Sequence, residues 1–303
     1  MAIETSEPVW IDYNRESGKR PRIVALGQFL LFAVAMAAAL LLIRLAMSQA
    51  PSTSGLLRSA AAGNLNPLLI LIVDGTALAV AFLYTTAASR YENRSLAVYG
   101  LPLQNVPTRL WAAGLLLGFA MATIDICVTA LLGGYSFGSV ALSAANLVKF
   151  GLLWSVAFLL VGIFEEYLFR GYSLFTLSKA IGFWPASILL AVLFGSLHLF
   201  NAGEGMAGAL NVVLYALFAS LTLRRTGSLW FAIGVHSAWD FSLTFIFAVP
   251  GSGSVAEGSL LNSSLHGRTW LTGGSAGPEG SAIGLCVLAV ATLGIIRFLP
   301  QRA

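Results

Sequence analysis

The chain has 303 residues, of which 57% are hydrophobic and only 10% are charged, and its mean hydropathy is +0.83. Soluble domains usually carry about a quarter charged residues, so this composition excludes an ordinary soluble domain. The formal charge is only +4, and nucleic acid is not among the expected partners. We therefore expect an all-α, multi-pass membrane protein whose first partner is the lipid bilayer.

Eight apolar segments are candidates for crossing a bilayer, whose hydrocarbon core requires about 20 apolar residues per helix. They predict one transmembrane domain over residues 23–299, preceded by a polar N-terminal segment at 1–22, with no internal repeat. The predicted spans are 23–47, 65–88, 109–133, 148–177, 184–203, 206–223, 228–248 and 281–299.

The distribution of positive charge predicts the orientation of these spans. Eight spans leave both termini on one side, and thirteen Lys and Arg residues fall on that side. Only Arg58 and Arg268 fall on the other side, while Arg44 and Lys149 lie within or at the rim of spans. The positive-inside rule then predicts cytoplasmic termini in the cell membrane, plasma or inner. The Gly- and Ser-rich loop 249–280 is non-cytoplasmic on this prediction, and its role stays open.

The fourth predicted span contains charged residues in the sequence "GIFEEYLFRG". An ionised group at a helix centre costs roughly 2.5–3.5 kcal/mol, so such groups normally face the interior of the bundle. Glu166 and Arg170 are four residues apart and share a helix face, which predicts an ion pair that supports the helix. Glu165 points about 100° away from Glu166, and we expect it to be free for chemistry.

Two histidines lie in later spans, at depths similar to that of Glu165. At 1.5 Å per residue, His198 and Glu165 lie about 21 Å from the predicted cytoplasmic ends of their helices, and His236 about 14 Å. We therefore expect these three side chains, from a motif core at about 148–248, to converge on one water-accessible cavity.

Four other polar residues and one aromatic residue accompany this set. Phe194 precedes His198 by four residues and should pack beside it, while Asp240 follows His236 by four and can orient the imidazole. Three further polar residues in spans are expected to make interhelical hydrogen bonds and are left out of the site. These are Asp74, Asp125 and Asn211.

A carboxylate and two imidazoles in a wet cavity are suited to hydrolysis, in either of two ways. Glu165 and His198 can activate a water directly as general base and partner. Alternatively, Glu165, His198 and His236 can bind Zn²⁺, which lowers the pKa of its bound water to about 7. In the first case, His236 and Asp240 are free to stabilise an oxyanion.

Three motifs in order resemble those of the CPBP family, which comprises the CAAX prenyl endopeptidases and bacteriocin-processing proteins and is also called the Abi family. "EEYLFR" matches Glu-Glu-x-x-x-Arg, "FGSLH" matches Phe-x-x-x-His, and "HSAWD" matches His-x-x-x-Asn/Asp. The resemblance implies an intramembrane metalloprotease whose cavity opens to the cytoplasm. Its substrate would be a membrane-associated peptide or protein, prenylated or leader-bearing.

The resemblance also implies a role for each site residue. Glu165 looks like the acid that activates water, and His198 like its partner. His236 and Asp240 match the pair that supports an oxyanion or a metal. Eukaryotic members carry Asn where this chain has Asp240, and an ionised Asp accepts hydrogen bonds but cannot donate them. This difference favours metal ligation or histidine orientation for Asp240.

Two other function classes are compatible with buried acids and histidines. An ion-coupled transporter uses such groups as relays, but it is expected to contain inverted repeats and broken helices, which the sequence does not indicate. A non-catalytic membrane scaffold or immunity protein keeps the same residues for packing alone. The scaffold hypothesis predicts that Glu165→Gln has no effect on function.

Overall fold

A computed structural model describes residues 19–104 and 106–299. The predicted cytoplasmic segment 1–22 lies mostly outside the described residues. The described part is predominantly helical and is built from short connections and long apolar helices. The helices are α1 Lys19–Gln49, α2 Pro51–Ala61, α3 Pro67–Tyr91, α4 Thr108–Leu131, α5 Ala144–Glu166, α6 Ser173–Ile181, α7 Phe183–His198, α8 Met206–Thr226, α9 Trp230–Phe241, α10 Thr269–Thr272 and α11 Ala282–Phe298.

The helices confirm the prediction of an all-α membrane bundle. Each of the eight predicted spans coincides with helical structure, and α2 and the short α10 are additional helices that were not predicted. Among the described residues, five helices are both long and apolar enough to cross a membrane: Pro21–Gln49, Pro67–Tyr91, Thr108–Leu131, Ala144–Ile181 and Met206–Thr226. Helices α7 and α11 are apolar but shorter, so the count of eight spans stays a prediction.

Local sequence explains where several helices begin and end. Helix α3 begins with Pro67 after Asn66, whose side chain accepts a hydrogen bond from the Leu68 backbone N–H. Helix α8 ends at Thr226, and Gly227 after it takes the left-handed conformation with φ of 69°. These signals fix the connections, and the apolar faces of the helices then pack around a common core.

The predicted span 184–203 is too long. Helix α7 ends at His198, and residues 199–205 form a turn that contains Gly203 and Gly205. Gly203 packs directly against the backbone of Gly253, an approach that an extended helix and a larger side chain would prevent. His198 is therefore the last residue of its helix and does not lie in mid-span.

The two helices that carry the acidic site residues change geometry immediately after them. A π-helical segment, Tyr167–Tyr172, joins α5 to α6, and its Gly171 has non-helical torsion angles of φ −82° and ψ −115°. A second π-helical segment, Ser242–Ile246, follows α9. The sequence predicted uniform helices here, because the hydrophobic pattern does not register a local change of helical pitch. Such π segments are frequently found at functional sites.

Close helix contacts at glycine bring the site helices together. A Cβ atom on Gly234 of α9 would lie 2.5 Å from the Trp111 carbonyl oxygen and 2.8 Å from the Leu115 nitrogen, both backbone atoms of α4. A Cβ atom on Gly195 of α7 would lie 2.6 Å from the Ala209 carbonyl oxygen of α8. Small residues at such positions let helix backbones approach each other in membrane bundles.

The loop 249–280 packs against one end of the bundle. Two short strands of the loop pair with strands from other connections. Strand β1 (Asn64–Leu65) pairs in parallel with β3 (Val255–Ala256) of the loop, and β2 (Tyr135–Ser136) pairs antiparallel with β4 (Ser264–Leu265) of the loop. Leu271, Ala276 and Pro278 of the loop are buried. The connections before α3 and α5, and the turn after α7, therefore all meet this loop at the same end of the molecule.

Candidate active site

Glu166 is the buried acid of the Glu-Glu pair. Its side chain is fully buried, and Oε1 lies 3.3 Å from Nη1 of Arg170 in the ion pair that the spacing predicted. The same oxygen accepts hydrogen bonds from the Tyr215 hydroxyl at 3.4 Å and from His236 Nδ1 at 3.0 Å. Glu166 therefore does more than support its own helix, because it also holds α8 and α9 through Tyr215 and His236.

His236 is placed among three carboxylates. Because the Glu166 carboxylate accepts from Nδ1, that nitrogen carries a proton, and the other ring nitrogen faces the cavity. His236 Nε2 lies 3.5 Å from Glu165 Oε2 and 3.5 Å from Asp240 Oδ2. Asp240 therefore lies where it can orient the imidazole, the role that its spacing predicted.

His198 is held by Phe194, as its spacing predicted. His198 Nδ1 donates to the Phe194 carbonyl oxygen at 2.8 Å, so its Nε2 is free to accept. The rings of Phe194 and His198 meet edge to face with centroids 4.5 Å apart. The guanidinium of Arg170 also lies on the Phe194 ring, with Cζ 4.7 Å from the ring centroid. Arg170 therefore links Glu166 to His198 through Phe194.

The four predicted catalytic side chains line one cavity of about 220 Å³. They are Glu165, His198, His236 and Asp240, and Phe194 lines it with them. The Glu165 side chain is 25% exposed, whereas that of Glu166 is 0% exposed. Glu165 is thus the more exposed acid of the pair.

The cavity reaches the end of the bundle that carries the loop 249–280. Gly251, Ser252, Ser254 and Glu279 from this loop contribute to its lining. Among the described residues, none that lines it belongs to the connections 92–107 or 227–229 at the opposite end. The family resemblance implied a cytoplasmic opening, and this geometry conflicts with that expectation if the loop is non-cytoplasmic.

Glu279 fixes the loop over the cavity. Its Oε1 accepts from Trp239 Nε1 at 3.1 Å, and its Oε2 accepts from the Ser252 backbone N–H at 2.5 Å and hydroxyl at 2.8 Å. Its backbone oxygen accepts from Asn211 Nδ2 at 2.8 Å. Burial, followed by the negative charge of Glu279, raises the pKa of Glu204 in the nearby turn 199–205.

Sequence reasoning missed four residues of this site. Asp74 and Asn211 were expected only to bridge helices, yet both line the cavity, and Tyr215 and Glu279 were not singled out. An acid within an apolar span was the available signal for Asp74. Nothing in the sequence distinguishes Tyr215 from other aromatic residues in spans, or Glu279 from other acids in loops.

The predicted zinc ligands do not form a ligand set in this arrangement. Among the residues that the structure describes, no three His, Cys, Asp or Glu side chains are grouped as metal ligands. His236 uses Nδ1 for Glu166, and its Nε2 lies beside Glu165 and Asp240, not beside His198. Zinc binding therefore stays a prediction.

One family model matches the part of the chain that carries these motifs. The family model described as "Type II CAAX prenyl endopeptidase Rce1-like" matches residues 147–242. Neither the curated proteins nor the solved structures include a significant match. The matched segment contains Glu165, Arg170, His198, His236 and Asp240.

Proposed function

Residues 147–242 belong to the type II CAAX prenyl endopeptidase Rce1-like family, and from this premise we propose that the protein is an intramembrane endopeptidase. Its substrate is a membrane-associated peptide or protein, and the attacking water is activated by Glu165 and His198. One observation carries the proposal beyond the family: Glu165, His198 and His236, from three different helices, line the same cavity.

Glu165 acts as the general base in this proposal. As the water oxygen attacks the scissile carbonyl carbon, its proton passes to the Glu165 carboxylate. When the tetrahedral intermediate collapses and the C–N bond breaks, Glu165 returns that proton to the leaving nitrogen. His198 supports this step, because its Nδ1 is committed to Phe194 and its Nε2 can accept a hydrogen bond from the water.

His236 stabilises the intermediate. With a proton on Nε2 as well as on Nδ1, it donates a hydrogen bond to the oxyanion. Glu166 fixes the ring from the buried side, and Asp240, which accepts but does not donate when ionised, orients it from the cavity side. The buried Glu166 thus positions His236, whereas the more exposed Glu165 contacts the water.

A matched pair of variants tests the proposal. The purified protein, reconstituted in liposomes with a library of single-span peptides, should cleave a subset that mass spectrometry identifies. Glu165→Gln should lower kcat by at least about 100-fold, the range of a positioned general base, while the protein stays folded. His266→Ala, which removes a histidine of the loop outside the cavity, should leave cleavage unchanged.

Three results would redirect the assignment. Unchanged cleavage by Glu165→Gln would contradict the role of Glu165. Ion flux that depends on Glu165, with no cleavage of any peptide, would favour the transporter. A wild-type protein that neither cleaves any peptide nor conducts ions would favour the scaffold. Elemental analysis of the same preparations tests the zinc prediction directly.

A further inference from the structure

Several hydrogen-bond donors on the cavity wall already have partners within the protein. The Tyr215 hydroxyl donates to the buried acid of the Glu-Glu pair, and Trp239 Nε1 donates to the Glu279 carboxylate. The Ser252 hydroxyl donates to the same carboxylate, and the Asn211 amide donates to the Glu279 backbone oxygen. These groups hold the site and the loop 249–280 in place, so they are not free to bind a substrate.

Three neutral side chains of the wall are uncommitted. Asn201, Thr244 and Ser254 line the cavity, and their side chains make no hydrogen bond with any residue that the structure describes. Thr244 is only 2% exposed, and its hydroxyl oxygen is not fully enclosed by protein atoms. By contrast, the buried Ser242 hydroxyl donates to the Ala238 carbonyl oxygen of its own helix at 2.6 Å. A buried hydroxyl without a partner is costly, and a ligand group in the cavity would satisfy it.

The three side chains converge on one hairpin of the loop. Ser254 belongs to the hairpin 251–254, in which Gly251 and Ser254 each donate a backbone hydrogen bond of 2.9 Å to the other. The Thr244 hydroxyl faces this hairpin, because a Cβ atom on Gly251 would lie 2.9 Å from its Oγ1. Asn201 lies in the turn after α7, which packs against the backbone of the same hairpin. Asn201, Thr244 and Ser254 therefore form a neutral polar rim at the loop end of the cavity.

The polar rim lies beside the catalytic residues. Thr244 follows Asp240 by four residues in the chain. Asn201 follows His198 by three, and its backbone N–H donates to the His198 carbonyl oxygen at 2.9 Å. When a peptide bond is held for attack by the water at Glu165 and His198, the neighbouring peptide groups of the substrate therefore lie near the rim.

A substrate that crosses the membrane as a helix needs such partners when it unwinds. The helix keeps its C=O and N–H groups paired within the segment, so a peptide bond leaves the helix before water attacks it. Unwinding exposes these groups to a cavity whose wall also contains apolar side chains, among them Phe158, Val161 and Leu288. An unpaired peptide group is costly there, and hydroxyl and amide side chains can both donate and accept.

From these contacts we infer that Asn201, Thr244 and Ser254 bind the main chain of an unwound substrate segment next to the scissile bond. The inference rests on the proposed function and specifies how its site recognises the substrate. Because each rim side chain donates as well as accepts, the rim fits the N–H and C=O groups that every substrate sequence presents. Recognition at the rim therefore depends on an unwound backbone, and not on one particular side chain.

Backbone esters test the inference separately from catalysis. The single-span peptide of the library that binds the Glu165→Gln protein most tightly in nanodiscs is resynthesised with one amide at a time replaced by an ester. Each ester removes one N–H and weakens the neighbouring carbonyl as an acceptor. At one or two positions, we expect the ester to weaken binding about 3- to 10-fold, the range of a single hydrogen bond. With Thr244→Val added to the protein, an ester at the position that binds Thr244 should have no effect, because that hydrogen bond is already lost.

A second variant and a control accompany Thr244→Val. Asn201→Leu changes an exposed residue of a turn, so it leaves the core intact, and it should abolish the ester effect at a different position. Thr292→Val is the matched control, because Thr292 lies in α11 outside the cavity and its hydroxyl donates to the Leu288 carbonyl oxygen at 2.8 Å. Thr292→Val should keep every ester effect.

The outcomes separate the two proposals. Ester effects that persist in both the Thr244→Val and the Asn201→Leu proteins, or that Thr292→Val abolishes equally, would overturn the inference. The absence of binding by any library peptide would overturn it too. Ester effects that the rim variants abolish would support the inference, and if the wild-type protein cleaves no peptide they would do so while contradicting the peptidase function. Cleavage by the wild-type protein without such coupling would support the peptidase function and refute main-chain binding by the rim.

Discussion

Arg170 connects two of the sequence motifs in space. It pairs with Glu166 one helical turn earlier, and its guanidinium lies on the ring of Phe194, which in turn holds His198. A Lys at this position would lack the planar guanidinium that stacks on an aromatic ring and pairs with a carboxylate. The spacing of Glu-Glu-x-x-x-Arg and Phe-x-x-x-His therefore has a direct geometric reason in this protein.

Tyr215 provides a prediction at this scale. Its hydroxyl donates to the Glu166 oxygen that also accepts from His236, so its removal weakens the support of His236. Tyr215→Phe should lower kcat by about 10- to 100-fold and leave KM nearly unchanged, because a hydrogen bond to a charged group is worth roughly 1.5–3 kcal/mol. Steady-state kinetics on a cleaved peptide measures both constants.

A buried tyrosine away from the site serves as the control. Tyr135→Phe removes a hydroxyl that donates to the Phe247 carbonyl oxygen at 2.8 Å, with no contact to the site acids. Tyr135→Phe should lower the free energy of unfolding about as much as Tyr215→Phe does, while leaving kcat unchanged. If both variants lower kcat equally, Tyr215 has only a structural role.

Helical spacing predicts contacts only between residues that are neighbours on the same helix. It correctly anticipated the Glu166–Arg170 pair and the packing of Phe194 on His198. It could not anticipate that Glu166 also binds His236, because that contact joins residues 70 apart in the chain. Contacts between helices depend on rotation and depth, which the hydrophobic pattern of a membrane helix barely constrains.

The elements of the bundle were predicted better than their ends. Apolar length predicted helical structure at eight places, and each coincides with a helix in the described residues, but it did not predict α2 or α10. It placed the end of α7 five residues too late, because the apolar run continues through Leu199 and Phe200 after the helix has stopped. The π-helical segments after Glu166 and Phe241 were not predicted either.

Gly234 provides the prediction at the scale of elements. Gly234→Ala would place a methyl group against the backbone of α4 and push α9 away, together with His236 and Asp240. We expect a loss of about 1–3 kcal/mol in stability, the usual cost of overpacking, and a larger relative loss of cleavage. Thermal unfolding in detergent and peptide cleavage measure the two effects.

Gly75→Ala is the matched control for this variant. A Cβ atom on Gly75 of α3 would lie 3.5 Å from Leu160 Cδ2, which is an ordinary van der Waals contact. This variant should keep both stability and cleavage. Equal behaviour of the two variants would show that the close approach of α4 and α9 does not position the site.

At the scale of the whole molecule, the contacts between loops agree with the prediction that successive spans cross the membrane in opposite directions. The loop 249–280 contacts β1 before α3, β2 before α5 and the turn before α8, and these segments are all expected on the same side of the membrane. The structure thus gathers them at one end, where the cavity also lies. The contacts do not depend on which side of the membrane this end faces, whereas the charge distribution predicts that side.

The positive-inside rule predicts that this end faces away from the cytoplasm, and accessibility labelling tests the prediction. In a Cys127→Ser, Cys286→Ser background, His266→Cys in the loop should react with an impermeant maleimide on intact cells. Arg109→Cys, at the start of α4, should react only after permeabilisation. This result would place the entrance of the cavity near the outer leaflet, so substrates would arrive from that side. The reverse pattern would refute the charge-based orientation and restore the cytoplasmic access that the family resemblance implied.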